Sequence, residues 1–204
     1  MSEEKKIVNV PFSKEDVINL KAGEYIYITG TIYSARDAAH KRMYDSINAA
    51  INENQDVKNY DGEKLFEEGI LPFDITNQVV YYLGPTPAKP GQVIGSAGPT
   101  TSTRMDKYTP LLLSKGLTGM IGKGKRGEAV INAIVDNKCV YFAAVGGAGA
   151  LLSKCIKKSE VIAYDDLGTE AIRKMYVEDL PVIVVIDSEG NNLYETAIKD
   201  YLNQ

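Results

Sequence analysis

Cysteine, histidine and long apolar runs are all scarce in this chain of 204 residues. Its two cysteines, Cys139 and Cys155, do not have the spacing of metal ligands. They are also too few for the disulfide framework of a small secreted domain. Cys139 stands in an apolar run, so a buried, reduced thiol is expected there. No apolar stretch is long enough to span a bilayer. Residues 1–6 are charged and lack the apolar core of a signal peptide. A cytoplasmic location is the resulting expectation. An excess of positive charge is missing as well. Lys and Arg number 23 against 27 Asp and Glu, giving a net charge of −4 and a pI near 5.2. That balance argues against a nucleic acid or an anionic membrane as partner. Hydrophobic residues at 44% and charged residues at 25% are ordinary for a soluble globular protein. No linker, repeat or low-complexity segment divides the chain, so one domain over residues 1–204 is expected.

Strand and helix patterns alternate along the chain. Ser13 and Asp16 form a capping-box start before the apolar residues Val17, Ile18 and Leu20. Residues 24–34 are rich in β-branched and aromatic side chains and read as a strand. A helix is expected over 36–51, where Ala39, Met43, Ile47 and Ala50 recur at helical spacing. Residues 54–77 are polar and irregular and read as an excursion from the main fold. Short strands are expected at 79–83 and 92–94, separated by Pro85, Pro87 and Pro90. Helices are then expected at 104–114, 128–136 and 148–154. They alternate with strands at 117–121, 139–144 and near Val161, with closing strands at 175–177 and 182–187. Such repeats indicate an α/β fold with a sheet covered by helices.

Residues 95–106, G-S-A-G-P-T-T-S-T-R-M-D, cannot pack a core. They offer backbone amides, the hydroxyls of Thr100 and Thr101, and the guanidinium of Arg104. With a helix expected to start near Ser102 or Thr103, they read either as a carboxylate-binding anion site or as a capped glycine-rich turn. Arg36, Asp37 and the only histidine, His40, lie where the first long strand meets the first long helix. A strand end of this kind presents ligand groups, and a histidine there can act as acid or base; equally, Asp37 favours a helix N-terminus and His40 can bond backbone. Residues 121–127, I-G-K-G-K-R-G, fit a dinucleotide fingerprint in its strand-to-helix context. The acidic residue expected at the end of the next strand is absent, however, and Lys123, Lys125 and Arg126 suit a small anion better. Lys123 is therefore read as a carboxylate ligand. Residues 145–152, V-G-G-A-G-A-L-L, form a third glycine-rich turn, which serves close packing or ligand contact. Lys154, Lys157 and Lys158 read as a solvated face. If the sheet is parallel, the turns bearing Arg36, residues 100–104 and Lys123 converge. Three cations and two hydroxyls suit a small dicarboxylate. No strong base, metal set or nucleophile triad accompanies them, so the set reads as a half-site.

The segments A-R-D-A-A-H (35–40), Y-Y-L-G-P (81–85), G-P-T-T-S-T-R-M-D (98–106) and I-G-K-G (121–124) occur in order. Together with residues 145–152 and 167–172, they resemble the iron–sulfur-dependent class I fumarate hydratases and L-tartrate dehydratases. The likeness is to their β subunit, the C-terminal domain of the single-chain enzymes. The resemblance implies a swivelling β/β/α domain with mixed sheets covered by helices. It also implies a partner α subunit bearing a four-iron–four-sulfur cluster on three cysteines, in an α2β2 assembly, with no metal held by this chain. The implied reaction is reversible dehydration of (S)-malate to fumarate, with L-tartrate dehydration as the rival. A stand-alone nucleotide- or anion-binding module is the reading from another class. In the family an open iron polarises the departing hydroxyl as a Lewis acid. Thr100 matches the assigned base. Arg104, Lys123 and Arg36 match carboxylate ligands, Thr101 lies beside them, and Asp37 and His40 are candidates for support. Ser102 and Thr103 stand where many fumarases have Ala-Gly.

Overall fold

The computed structural model describes residues 5–144 and 149–202. Residues 145–148, which open the third glycine-rich turn, lie outside them. The capping box forms as expected. Ser13 Oγ accepts from the Asp16 amide and the Asp16 carboxylate accepts from the Ser13 amide, which starts helix α1 at Lys14–Asn19. The β-branched run becomes strand β2, Tyr25–Ser34. Helix α2, Asp37–Glu53, turns Ala39, His40, Met43 and Ile47 inward. Ala39, Met43 and Ile47 recur every four residues and His40 precedes Met43 by three, the spacing of a single helical face.

Strands β3 (Val79–Tyr81), β4 (Gly119–Gly122) and β5 (Val140–Ala144) follow β2 side by side, all parallel. The last strand, β7 (Ile172–Ile186), runs antiparallel to β5 and also to β2. The pairing order β2-β3-β4-β5-β7 therefore returns to β2 and closes a ring. Strand β1 (Ile7–Val10) adds parallel to β2, and β6 (Ile156–Ala163) adds antiparallel to β7. At the register shift in β2, Gly30 has φ 130, and a Cβ there would stand 2.2 Å from the Val10 carbonyl oxygen. Only glycine lets β1 approach this closely.

Alternation along the strands separates two apolar clusters. Ile28, Ile32, Val79, Tyr81, Ile121, Phe142 and Val184 belong to one, which Val17 of α1 joins. Tyr33, Val80, Met120, Tyr141 and Val185 belong to the other, beneath α2, α4 (Thr109–Ser114) and α5 (Glu128–Asn137). Helix α3 (Gly62–Glu67) and a 3₁₀ turn (Gln55–Asn59) give the excursion some order. The ammonium of buried Lys115 fastens it by donating to the carbonyls of Val57, Lys58 and Tyr60 at 3.2, 2.6 and 2.9 Å. Helix α6 (Gly149–Cys155) precedes β6, and α7 (Leu193–Leu202) follows β7.

Three expectations are corrected. Residues 92–94 form no strand; four prolines over 85–99 keep the connection irregular, with only an isolated bridge between Leu83 and Pro99. The helix expected over 104–114 is split into a 3₁₀ turn, Ser102–Met105, and α4. Pro110 has no amide hydrogen and its ring clashes with the preceding turn, so it is accommodated only in the first turn of a helix. The two closing strands are one strand of 15 residues, β7, which passes through Asp179 at φ 50 and Pro181.

Candidate active site

Because β2, β3 and β4 are parallel, their C-terminal ends deliver three segments to the same end of the sheet. The Ala35 amide donates to Tyr81 O at 3.2 Å, and Thr100 returns alongside β3 with its amide on Tyr82 O at 2.8 Å. Thr101 bridges Lys123 in parallel register, and the Ser102 amide donates to Lys123 O at 3.0 Å. Arg36 lies against Gly84. The structure thus brings Arg36, residues 100–104 and Lys123 together at one end of the sheet.

Their environments differ. Thr101, Arg104 and Lys123 are exposed and Thr100 is half-buried. Neither Arg104 nor Lys123 has an ion-pair partner among the described residues, so both charges remain available to a ligand. Arg36 is already engaged. Its Nη2 lies 3.1 Å from the Glu170 carboxylate and 3.6 Å from that of Asp37. Glu170 also accepts from the Ala38 amide at 3.3 Å in the first turn of α2. A carboxylate from the chain itself thus occupies part of the Arg36 guanidinium.

His40 is fully buried behind Arg36, edge-on to Tyr82 at 5.2 Å between ring centroids. A carbonyl can only accept, so Nδ1–H donates to Arg36 O at 2.9 Å. Nε2 is buried with no hydrogen-bond partner. Burial pushes the ring's pKa down from 6.5 to about 4. His40 is therefore neutral near pH 7 and acts as a brace for the Arg36 backbone. Because the folded pKa is depressed, the unfolded chain binds the extra proton between these two values. The stabilisation is full above 6.5 and fades as pH falls toward about 4, a loss of about 3 kcal/mol. Urea titrations across that window should show the loss in the wild type and a flatter profile in His40→Gln. Parallel profiles would remove His40 as the source.

Arg126 corrects the reading of its loop as a set of anion-binding cations. It is buried, with Nε 2.8 Å from Asp106 Oδ1, Nη1 3.2 Å from Tyr82 Oη and Nη2 3.0 Å from Thr109 Oγ1. Its guanidinium lies over the rings of Tyr82 and Tyr141 at 5.3 and 5.0 Å. Asp106 Oδ2 accepts from the Gly127 amide at 2.7 Å, at the start of α5. In the fingerprint reading, a phosphate would take that place. Here the chain's own carboxylate fills it, which counts against nucleotide binding. Sequence reasoning missed this pair because Asp106 and Arg126 stand 20 residues apart.

Exposed Thr101, Arg104 and Lys123 give the cluster an open surface. A cavity of about 420 Å³, lined by Asn77, Lys115 and Lys138 among others, lies instead at the end where β3 to β5 begin. No three His, Cys, Asp or Glu side chains gather as a metal-ligand group among the described residues. Cys139 donates to Leu117 O at 3.3 Å, and burial pushes its thiol up to about 12. Cys155 is half-buried beside Asp179 O at 3.6 Å, its pKa also raised by burial. Two cysteines, each held on a different backbone carbonyl, do not supply the set of thiolates that an iron–sulfur cluster takes. No helix among the described residues is long and apolar enough to cross a membrane.

Residues 1–197 match the family model described as Fumarase C-terminus. The chain is 36% identical over 173 residues to the anaerobic class I fumarate hydratase of Escherichia coli (strain K12), covering 84% of this chain and 28% of that protein. It is 33% identical over 187 residues to fumarate hydratase 2 of Leishmania major, covering 91% of this chain and 30% of that one. It therefore spans about a third or less of those relatives. Against the putative L(+)-tartrate dehydratase subunit beta of Methanocaldococcus jannaschii it is 34% identical over 193 residues, and the match covers 92% of this chain and 90% of that subunit. The chain belongs to the fumarase C-terminus family.

Proposed function

We propose that this chain is the β subunit of an iron–sulfur hydro-lyase that interconverts (S)-malate and fumarate in the cytoplasm. The carrying observation is the convergence of Thr100, Thr101, Arg104 and Lys123 on one open surface, in a chain of this family. The closed ring of mixed strands under helices supports a swivelling β/β/α domain, built as one unit over residues 1–204. Arg104 and Lys123 grip substrate carboxylates, Arg36 contributes where Glu170 leaves it free, and Asp37 and His40 hold Arg36 in place. Thr100 takes the proton from the carbon beside the departing hydroxyl. Its alkoxide is accessible only if neighbouring cations stabilise it and water is kept out. An open surface cannot exclude water alone, so the α subunit must cover it. The four-iron–four-sulfur cluster belongs on that subunit, because the thiols of this chain do not fit it.

L-tartrate dehydration is the second reading. It is favoured by the near full-length match to a subunit named for that activity. Anaerobic assay of the reconstituted complex with malate and with L-tartrate decides between them; a clear preference for tartrate sinks the fumarase assignment. Purified alone, the chain is expected to be colourless, iron-free and inactive. Co-expressed with its α partner it should form a mixed oligomer, α2β2, with substrate at the subunit interface. Turnover by the metal-free chain alone would refute this.

Arg104→Ala removes a charged hydrogen-bond donor worth about 1.5–3 kcal/mol, so KM should rise roughly 10- to 150-fold. Arg36→Ala should also raise KM, but less, since its guanidinium is shared with Glu170 and Asp37. Steady-state kinetics on both variants test the ranking. A larger effect at Arg36 would mean that the Glu170 contact is released when substrate binds.

A further inference from the structure

Lys123 sits between Gly122 and Gly124, and Gly124 has φ 85. Such a loop is intrinsically loose, and a lysine on it is a poor carboxylate ligand unless its backbone is fixed. The structure fixes it through two buried hydroxyls. The Lys123 amide donates to Ser102 Oγ at 3.1 Å, and Ser102 Oγ lies 2.8 Å from Tyr141 Oη. Tyr141 Oη donates to Gly124 O at 2.9 Å. The directions follow from chemistry. Gly124 O can only accept, so it takes the single Tyr141 proton. Tyr141 Oη then accepts from Ser102, and Ser102 Oγ accepts from the Lys123 amide. The Ser102 amide closes the clamp by donating to Lys123 O at 3.0 Å. Ser102 and Tyr141 are both fully buried. The fit is tight: a Cβ on Gly122 would lie 2.1 Å from Ser102 Oγ.

We propose that Ser102 and Tyr141 are positioning residues whose hydroxyl relay sets Lys123 at the distance from Thr100 and Arg104 that a dicarboxylate requires. Neither touches substrate; both act through Lys123. The relay links the threonine segment, the lysine loop and strand β5, so that two ligand-bearing turns move as one body. The inference rests on the hydro-lyase reading of the site.

A double-mutant cycle on the complex of this chain with its cluster-bearing subunit tests it. Ser102→Ala is expected to raise KM about tenfold, the scale of a slight misplacement of a binding group, with kcat changed less. Lys123→Ala should raise KM by itself. In the Lys123→Ala background, Ser102→Ala should add less than about twofold, because the residue through which it acts is gone. Tyr141→Phe keeps the ring beneath Arg126, removes only the hydroxyl, and should repeat the pattern if Ser102→Ala fails to fold. A general structural role would instead lower stability and multiply KM equally in both backgrounds. Full multiplication, or an unchanged KM in the single hydroxyl variants, overturns the relay. An unchanged KM in Lys123→Ala overturns the reading of the site itself and is seen separately.

Discussion

Thr100→Ala should lower kcat roughly 10²- to 10⁴-fold, the usual worth of a positioned proton-transfer group, and leave KM nearly unchanged. The backbone around Thr100 is held independently of its hydroxyl. Its amide is on Tyr82 O at 2.8 Å, Pro99 bridges Leu83, and Thr101 bridges Lys123. The substitution therefore removes Oγ1 and little else. A capping role would predict the reverse, a stability loss with turnover spared. The geometry gives that role no support: Thr101, not Thr100, holds the N-cap of the 3₁₀ turn, and it makes no side-chain cap bond. Among the described residues no side-chain hydrogen bond engages Thr100 Oγ1. Steady-state kinetics on the complex, with its iron content checked beforehand, decide the matter. A kcat near wild type would remove Thr100 from the mechanism and leave residues 95–106 as a binding loop.

The parts of this site legible in the sequence are those set by local chemistry. Composition misled before Thr100, where exposure was expected of small residues and a proline: Gly95, Ala97 and Pro99 are buried and Ala97 joins an apolar cluster, while Thr101 and Arg104 are exposed as expected. The β-branched run of β2 and the helical spacing in α2 place Arg36 at a strand end without any long-range information. Convergence of the three turns needed one further condition, parallel strands, and β2, β3 and β4 meet it. What escaped was set by distant partners. Lys123, Lys125 and Arg126 look alike in the sequence, yet two face solvent and Arg126 is buried, and Asp106 from another segment decides which. Glu170 is more remote still in sequence from Arg36. The joining of two apolar runs into β7 depends on the long antiparallel pairing with β2, which carries the strand through Asp179 and Pro181. The break before α4 was readable, because Pro110 cannot stand in a helix interior.

Arg126 should produce the largest stability effect in the chain. Arg126→Met removes one side of a largely buried ion pair and leaves Asp106 without its charge partner. It also strips hydrogen bonds from Tyr82 Oη and Thr109 Oγ1. Loss of one partner from such a pair costs about 3–5 kcal/mol, and the low end applies because Asp106 keeps the Gly127 amide and some solvent contact. Arg126→Lys separates charge from shape. A lysine ammonium retains the positive charge but lacks the planar fork that reaches Asp106, Tyr82 and Thr109 together. If geometry holds the two loops, the lysine variant should fall nearly as far as the methionine variant in urea midpoint. If charge alone matters, it should stay close to wild type, and the view of Arg126 as the brace beneath residues 100–106 and 121–127 fails. The Arg126 side of the pair is fully shielded from solvent, so added salt should change the wild-type midpoint only modestly through this contact. Loss of the brace loosens the segments that carry Thr100, Arg104 and Lys123. In variants that remain folded, kcat and KM should therefore worsen together, unlike the kcat-only loss expected for Thr100→Ala.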